Sequence, residues 1–147
     1  MQIAHKIKTN IDPGIAIDTV TLDYEGRFLR RKKLTTDKGE SFLVELPETR
    51  SLNSSDGLVL DDGRIICVTP ANEPLVVVKH KNLARIAWHI GNRHTPCQIE
   101  DGYLLIRQDH VLEGMLNKLG AQLCTMHAAF IPEGGAYGHG RTHGHQD

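Results

Sequence analysis

Alternating apolar and polar residues in the first half of the chain predict short β-strands separated by turns. Four segments fit this description: residues 15–22, 41–46, 57–60 and 64–68. The last two flank Asp61, Asp62 and Gly63, a combination typical of a β-hairpin because glycine tolerates the positive φ of the turn. Further turns are predicted at Lys38-Gly39 and Asp56-Gly57. No helical periodicity extends over ten residues, so we predict an all-β domain over residues 1–70.

The pattern changes after a segment that contains two prolines. Proline lacks a backbone donor and stiffens the chain, so residues 71–74 are predicted as a linker. Residues 75–79 form a short apolar run typical of a buried strand. Asn82 is a suitable helix N-cap, and apolar residues follow it at helical spacing: Leu83, Ile86, Ala87 and Ile90. Gly91 is expected at the left-handed position just past the end of this helix.

A second hairpin and a second helix complete this half of the chain. Two strands, residues 97–99 and 103–107, are predicted on either side of Glu100-Asp101-Gly102. Asp109 is a natural N-cap for a helix that ends at Gly120 and buries one apolar face: Val111, Leu112, Met115, Leu116 and Leu119. Residues 121–130 read as the last strand.

The order of these elements predicts the fold class. The sequence β-α-β-β-α-β is that of the ferredoxin-like split βαβ motif. We therefore predict an α+β protein, in which an all-β N-terminal domain is followed by a ferredoxin-like domain over residues 75–131. Residues 132–147 are rich in glycine and histidine. Such a run cannot pack a core, so it is expected to be a flexible tail.

Composition excludes several classes of function. Lysine plus arginine (17) nearly balance aspartate plus glutamate (18), so no net charge draws the chain to nucleic acid or to anionic lipid. The longest apolar runs are too short to cross a bilayer, and the N-terminus has no continuous apolar segment of a secretory signal. We therefore expect a cytoplasmic protein. Three widely spaced cysteines argue against a disulfide framework or a cysteine-based zinc site.

Histidine points to metal binding. Three of the nine histidines, His139, His143 and His145, fall within the last nine residues. His94 follows the first helix in a polar cluster with Asn92 and Arg93, and Pro96 restricts the chain after it. Imidazole is a good ligand for Ni²⁺, Cu²⁺ and Zn²⁺. Because one imidazole binds weakly, further ligands are required.

Three sources of a second imidazole are open. A two-fold dimer with His94 near its axis would present two imidazoles to one ion. His110 is a second source, because it is predicted in the first turn of the second helix, where the helix dipole disfavours an added positive charge. The tail offers His143 and His145. The alternative interpretations are structural: His94 as a loop histidine satisfied by the backbone, and His110 as a residue that merely decorates a helix start.

Other chemistries have little support in the sequence. There is no Gly-x-Ser-x-Gly, phosphate-binding loop or His-Glu-x-x-His motif. A metal-dependent hydrolase would need a general base, for which Asp109 and Glu100 are the nearby carboxylates. A metal-independent adaptor protein is a second alternative. The basic run at residues 30–33 is either a solvated strand edge or a docking patch for an acidic partner.

In combination, several short motifs resemble the UreE family of urease accessory proteins, which are nickel metallochaperones. The similarity runs in order through residues 89–94 (HIGNRH), Pro96, Gln98-Ile99, 109–112 (DHVL), Pro132-Glu133 and Gly135-Ala136-Tyr137. The N-terminal half is similar only in its layout of strands and turns.

The resemblance implies a non-enzymatic homodimer that delivers Ni²⁺ for assembly of the urease active site. His94 of both subunits would share the ion, and the tail would add His143 or His145, and His139. His110 occupies a position where some relatives bind additional metal. Implied partners are other urease accessory proteins, including the maturation GTPase, and the urease apoprotein, with no nucleic acid or membrane. Gln108 stands where some relatives carry a further histidine, so we expect one strong ion per dimer.

Overall fold

The computed structural model describes residues 1–134 and confirms the α+β class. The chain divides into two compact units, Met1–Ala71 and Asn72–Asp147. Each unit has its own buried apolar cluster.

The first unit is a six-stranded mixed β-sheet. Its strands are β1 (Gln2–Lys8), β2 (Asp18–Leu22), β3 (Phe28–Thr35), β4 (Ser41–Ser51), β5 (Gly57–Leu60) and β6 (Ile65–Pro70). The strand order is β2-β6-β5-β1-β4-β3. The pairs β1–β4 and β2–β6 are parallel, and the other neighbours are antiparallel. Single 3-10 turns lie at Pro13–Ile15 and Glu25–Arg27.

Period-two alternation along the strands builds the core of this unit. In β4, Phe42, Val44 and Leu46 are buried while the residues between them are partly exposed, as expected for a sheet with one face turned to the interior. These residues join Ala4, Leu58 and other apolar side chains in one cluster. The sequence pattern did not reveal β1 or β3. Both carry several charged residues, and pairing within the sheet determines their conformation.

The expectation of a turn at Asp56-Gly57 was wrong in its position. Gly57 is the first residue of β5, and the left-handed residue of the preceding loop is Ser55, with φ of 71°. A Cβ atom on Gly57 would lie 2.7 Å from Cγ2 of Ile65 and 2.8 Å from Cδ1 of Ile11. Glycine is therefore required here by close packing. The hairpin at Gly63 is confirmed, with φ of 90°.

The second unit has the predicted β-α-β-β-α-β order. Its elements are β7 (Asn72–Lys79), α1 (Leu83–Asn92), β8 (Gln98–Glu100), β9 (Tyr103–Arg107), α2 (His110–Lys118) and β10 (Gln122–Ala129). The antiparallel sheet has the order β10-β7-β9-β8. Both helices contribute to a single cluster with the sheet, which includes Val76, Ile86, Ile106 and Leu112.

Both predicted helix starts are confirmed. The Asn82 side chain accepts from the N–H of Arg85, and the Asp109 side chain accepts from the N–H groups of Val111 and Leu112. One other expectation was wrong. Residues 71–74 are not a linker, because β6 ends at Pro70 and β7 begins at Asn72. Pro74 is accommodated because β7 pairs there with β10 alone, and pairing with β9 begins at Leu75.

Candidate metal centre

The end of α1 determines the position of His94. Gly91 lies inside the helix, which continues to Asn92, so its expected left-handed position was wrong. The residue with positive φ is His94, at 56°. Its N–H donates to the carbonyl oxygen of Gly91 at 2.9 Å, and the N–H of the preceding Arg93 donates to the carbonyl oxygen of Ile90 at 3.1 Å. These bonds hold His94, half-buried, in a backbone region that few non-glycine residues adopt.

Strand register places His94 and His110 at the same end of the four-stranded sheet. Leu75 pairs with Arg107, and Gln98 pairs with Leu105. The start of β7, the start of β8 and the end of β9 therefore lie together. His94 is four residues before β8, and His110 is three residues after the end of β9. The two histidines predicted as ligands thus lie at one end of the domain, although they are sixteen positions apart in the sequence.

His110 is the first residue of α2, and its side chain is exposed. Asp109 caps the helix, and Glu113 accepts from the Asp109 N–H at 2.9 Å. Within residues 1–134, no group of three histidine, cysteine, aspartate or glutamate side chains is arranged to hold a metal ion. His139, His143 and His145 lie outside the described residues.

The chain beyond β10 passes from one edge of the sheet to the other. β10 and β8 are the two edge strands, yet Ile131 N–H donates to Oε1 of Gln98 at 2.8 Å and Glu133 N–H donates to the carbonyl oxygen of Cys97 at 2.9 Å. Phe130, at the start of this crossing, is fully buried. The crossing brings Glu133 and Gly134 beside the segment that leads from His94 into β8.

The thiol of Cys97 is harder to ionise than that of a free cysteine. Burial, with a smaller contribution from the Glu133 carboxylate, raises the pKa of its thiol to about 11. The thiol therefore remains protonated near pH 7, whereas a metal ligand must be deprotonated. Its Sγ lies 3.9 Å from the carbonyl oxygen of Gln98.

Two other histidines have structural partners. In His80, Nδ1 accepts from the Asn82 N–H at 2.9 Å, so Nε2, which lies 3.1 Å from the Leu119 carbonyl oxygen, is the donor. This is the neutral tautomer, and it joins the start of α1 to the end of α2. His89 meets the ring of Trp88 edge-on, with ring centroids 5.1 Å apart.

Three large apolar side chains are exposed on the helix-bearing side of this unit. The exposed fractions are 63% for Trp88, 65% for Val111 and 54% for Ile99. Trp88 follows buried Ile86 by two positions on α1 and therefore points away from the sheet. Ile99 lies on the same face of its strand as Cys97, two positions earlier, which packs among the helices. Such exposure on one side of a small domain is typical of a protein–protein contact.

The fold and the site define a class: an α+β protein with a β-sheet unit and a ferredoxin-like unit that carries histidines at one end of its sheet. The family models of the UreE urease accessory protein match both units, the N-terminal domain over residues 2–71 and the C-terminal domain over residues 73–147. The chain belongs to the UreE family of urease accessory proteins.

Individual relatives match most of the chain. A urease accessory protein UreE from Ruegeria pomeroyi is 56% identical over 130 residues, which are 88% of this chain and 87% of the relative. One from Paracoccus denitrificans is 57% identical over 130 residues, 88% and 83% of the two chains. One from Chelativorans sp. is 47% identical over 145 residues, 90% and 92% of the two chains. Separately, no helix within residues 1–134 is long and apolar enough to span a membrane.

Proposed function

We propose that this protein is a non-enzymatic nickel metallochaperone that carries Ni²⁺ to the urease maturation machinery. The observation that carries the proposal is the placement of His94: a half-buried imidazole on a hydrogen-bonded left-handed turn, at the end of the sheet where α2 starts with His110 and where the chain leads into the tail. The names of the relatives support a role in urease maturation.

A homodimer is the arrangement that best completes the site. One imidazole holds a metal ion weakly, and a two-fold axis beside His94 would add an identical second ligand. Exposed Trp88, Val111 and Ile99 supply apolar area on the helix-bearing side of the same unit. His143, His145 and His139 of the tails would then complete coordination of Ni²⁺, and Zn²⁺ or Cu²⁺ would use the same nitrogens.

The ligand types suit a carrier, because delivery requires an ion that is held and then released. Neutral imidazoles exchange with solvent and with partner ligands, whereas a closed set of thiolates forms a permanent structural site.

Partners of this function are other urease accessory proteins, including the maturation GTPase, and the urease apoprotein. The basic run Arg30, Arg31, Lys32 and Lys33 is a candidate for one of these contacts. All four side chains are exposed on β3, which is an edge strand of the first unit. The run borders a cavity of 550 Å³ where β4 bulges at Leu46 and Pro47. An acidic partner surface would complement it.

Nickel titration calorimetry combined with light scattering tests the proposal. We expect one tight ion per two chains in a dimer, and loss of that ion in His94→Asn. A variant of a histidine placed elsewhere, His5→Asn, serves as the control and should bind nickel as the parent does. Hydrolytic turnover with the metal-loaded protein would instead favour a metal-dependent hydrolase. Binding of urease accessory proteins that needs neither metal nor His94 would favour an adaptor.

A further inference from the structure

The second unit has a cationic cleft at the end of the sheet opposite to His94. Lys79 at the end of β7 pairs with Gln122 at the start of β10, and the β8–β9 turn at Gly102 lies at this same end. These residues line a cleft of 610 Å³ together with His80, Lys81, Arg85, Leu119 and Gly120. The volume is within the range of small-molecule sites.

The charge of this cleft differs from that of the whole chain. Three of its lining residues, Lys79, Lys81 and Arg85, are exposed cations, and no carboxylate is among the lining residues. The salt bridges found within residues 1–134 do not involve these three side chains. The chain as a whole has a formal net charge of −1. Cations gathered in one cleft create a positive potential that attracts anions.

The wall of the cleft is held in place by His80. Its two ring nitrogens bridge the Asn82 N–H and the Leu119 carbonyl oxygen, which connects the first turn of α1 to the last turn of α2. The C-terminus of α2 carries a partial negative charge that disfavours an anion. Its Leu119 carbonyl, however, already accepts a hydrogen bond from His80.

We propose that this cleft is an anion site that takes a small phosphate-bearing ligand. Phosphate fits because each of its oxygens accepts several charge-assisted hydrogen bonds at once. Arg85 supplies a planar fork of donors, and Lys79 and Lys81 supply point charges from the adjoining strand and turn. The site is separate from the proposed metal centre at the other end of the sheet, so its occupancy requires no metal.

Titration of the full chain with inorganic pyrophosphate, in metal-depleted buffer without phosphate, tests this proposal. We expect one pyrophosphate per chain, with amide chemical-shift changes at the cleft residues Lys81, Gly102 and Gly120. Arg85→Gln should raise the Kd by about tenfold or more, as expected for the loss of a charge-assisted contact. Lys32→Gln, which removes an exposed cation on β3, should leave the Kd unchanged, and the melting temperature of each variant checks its fold.

Three results would overturn the proposal. The first is the absence of saturable pyrophosphate binding by the folded parent chain. The second is an equal loss of affinity in Arg85→Gln and Lys32→Gln, which would indicate general charge attraction. The third is tighter binding of a hexaglutamate peptide than of pyrophosphate with the same amide shifts, which would assign the cleft to an acidic protein segment. Comparing pyrophosphate with adenosine diphosphate distinguishes a free phosphate ligand from one attached to a nucleoside. Because no metal is added, failure here leaves the nickel proposal untouched.

Discussion

The backbone N–H of Glu133 donates a hydrogen bond to the carbonyl oxygen of Cys97 at 2.9 Å. This contact ties the chain beyond β10 to the segment between His94 and β8. An extended chain advances at most about 3.3–3.6 Å per residue. From Gly134, His139 is therefore within about 18 Å, and His145 is within about 40 Å. The segment that carries these histidines therefore begins beside the turn at His94, the proposed primary ligand.

Deletion of residues 135–147 should weaken nickel binding without abolishing it. The truncated chain keeps His94 and His110 but loses His139, His143 and His145. We expect the stoichiometry of one ion per two chains to persist while the Kd rises, because the remaining positions on the ion would be filled by water. Calorimetry on the truncated chain measures both quantities. Complete loss of binding would show that the tail carries the metal alone.

Substitutions of His94 should separate its role as a ligand from its role in the turn. His94→Asn and His94→Gly should both lose the tight nickel ion without adding backbone strain, since asparagine and glycine tolerate positive φ. His94→Ala should lose the ion as well, but it keeps a Cβ in the left-handed region, which costs about 1–2 kcal/mol. It should therefore melt below His94→Gly. Equal nickel affinity in the parent and His94→Gly would contradict the assignment.

Nickel should be released as the pH falls from about 8 to about 5.5, because protons compete with metal for imidazole nitrogens that titrate near pH 6.5 as a class. The measurement is the apparent Kd at several pH values across this range. Far-ultraviolet circular dichroism at each pH controls for unfolding. An affinity that does not change with pH would exclude imidazole ligation.

Cys97 should resist alkylation at pH 8. Its pKa is raised from 9.0 to about 11 by burial and by Glu133, so its thiolate fraction there is about a hundredfold below that of a free thiol. The rate with iodoacetamide is measured in the Cys67→Ala/Cys124→Ala variant. Adding Glu133→Gln should increase this rate, because it removes the negative charge that opposes ionisation. The raised pKa also affects stability. Because Cys97 ionises at a lower pH in the unfolded chain than in the folded chain, its contribution to folding stability is full below pH 9 and is lost as the pH rises toward 11. Rapid alkylation of the folded chain would contradict this account.

Gly57→Ala should destabilise the first unit by about 1–3 kcal/mol, the usual cost of overpacking. The new methyl group would lie under 3 Å from both Ile65 and Ile11. Ile65 is β-branched, so its χ1 has few allowed rotamers through which Cγ2 could move aside. Gly114→Ala is the matched control. Gly114 lies inside α2 with open space around it, so alanine there should stabilise the helix by up to about 1 kcal/mol. Chemical denaturation measures both. A neutral Gly57→Ala would contradict the packing argument.

Features that depend on nearby residues were readable from the sequence. The N-caps Asn82 and Asp109, the hairpin glycines Gly63 and Gly102 and the alternation in β4 act over a few positions, so their residue types identify them. The β-α-β-β-α-β order followed from these signals, and the family followed from motifs in residues 89–137. His94 and His110 were recognised as candidate ligands by residue type and position alone.

Only the tertiary structure decided features that join distant segments. Strands β1 and β3 form because neighbours in the sheet pair with them, although their own residues are strongly polar. The close approach of Ile11 and Ile65 imposes glycine at position 57, and no local pattern records that contact. The left-handed residue was predicted at Gly91, but hydrogen bonding at the end of α1 places it at His94. The convergence of His94, His110 and Glu133 at one end of the sheet likewise depends on strand register, because pairing between strands brings together residues that the chain itself separates.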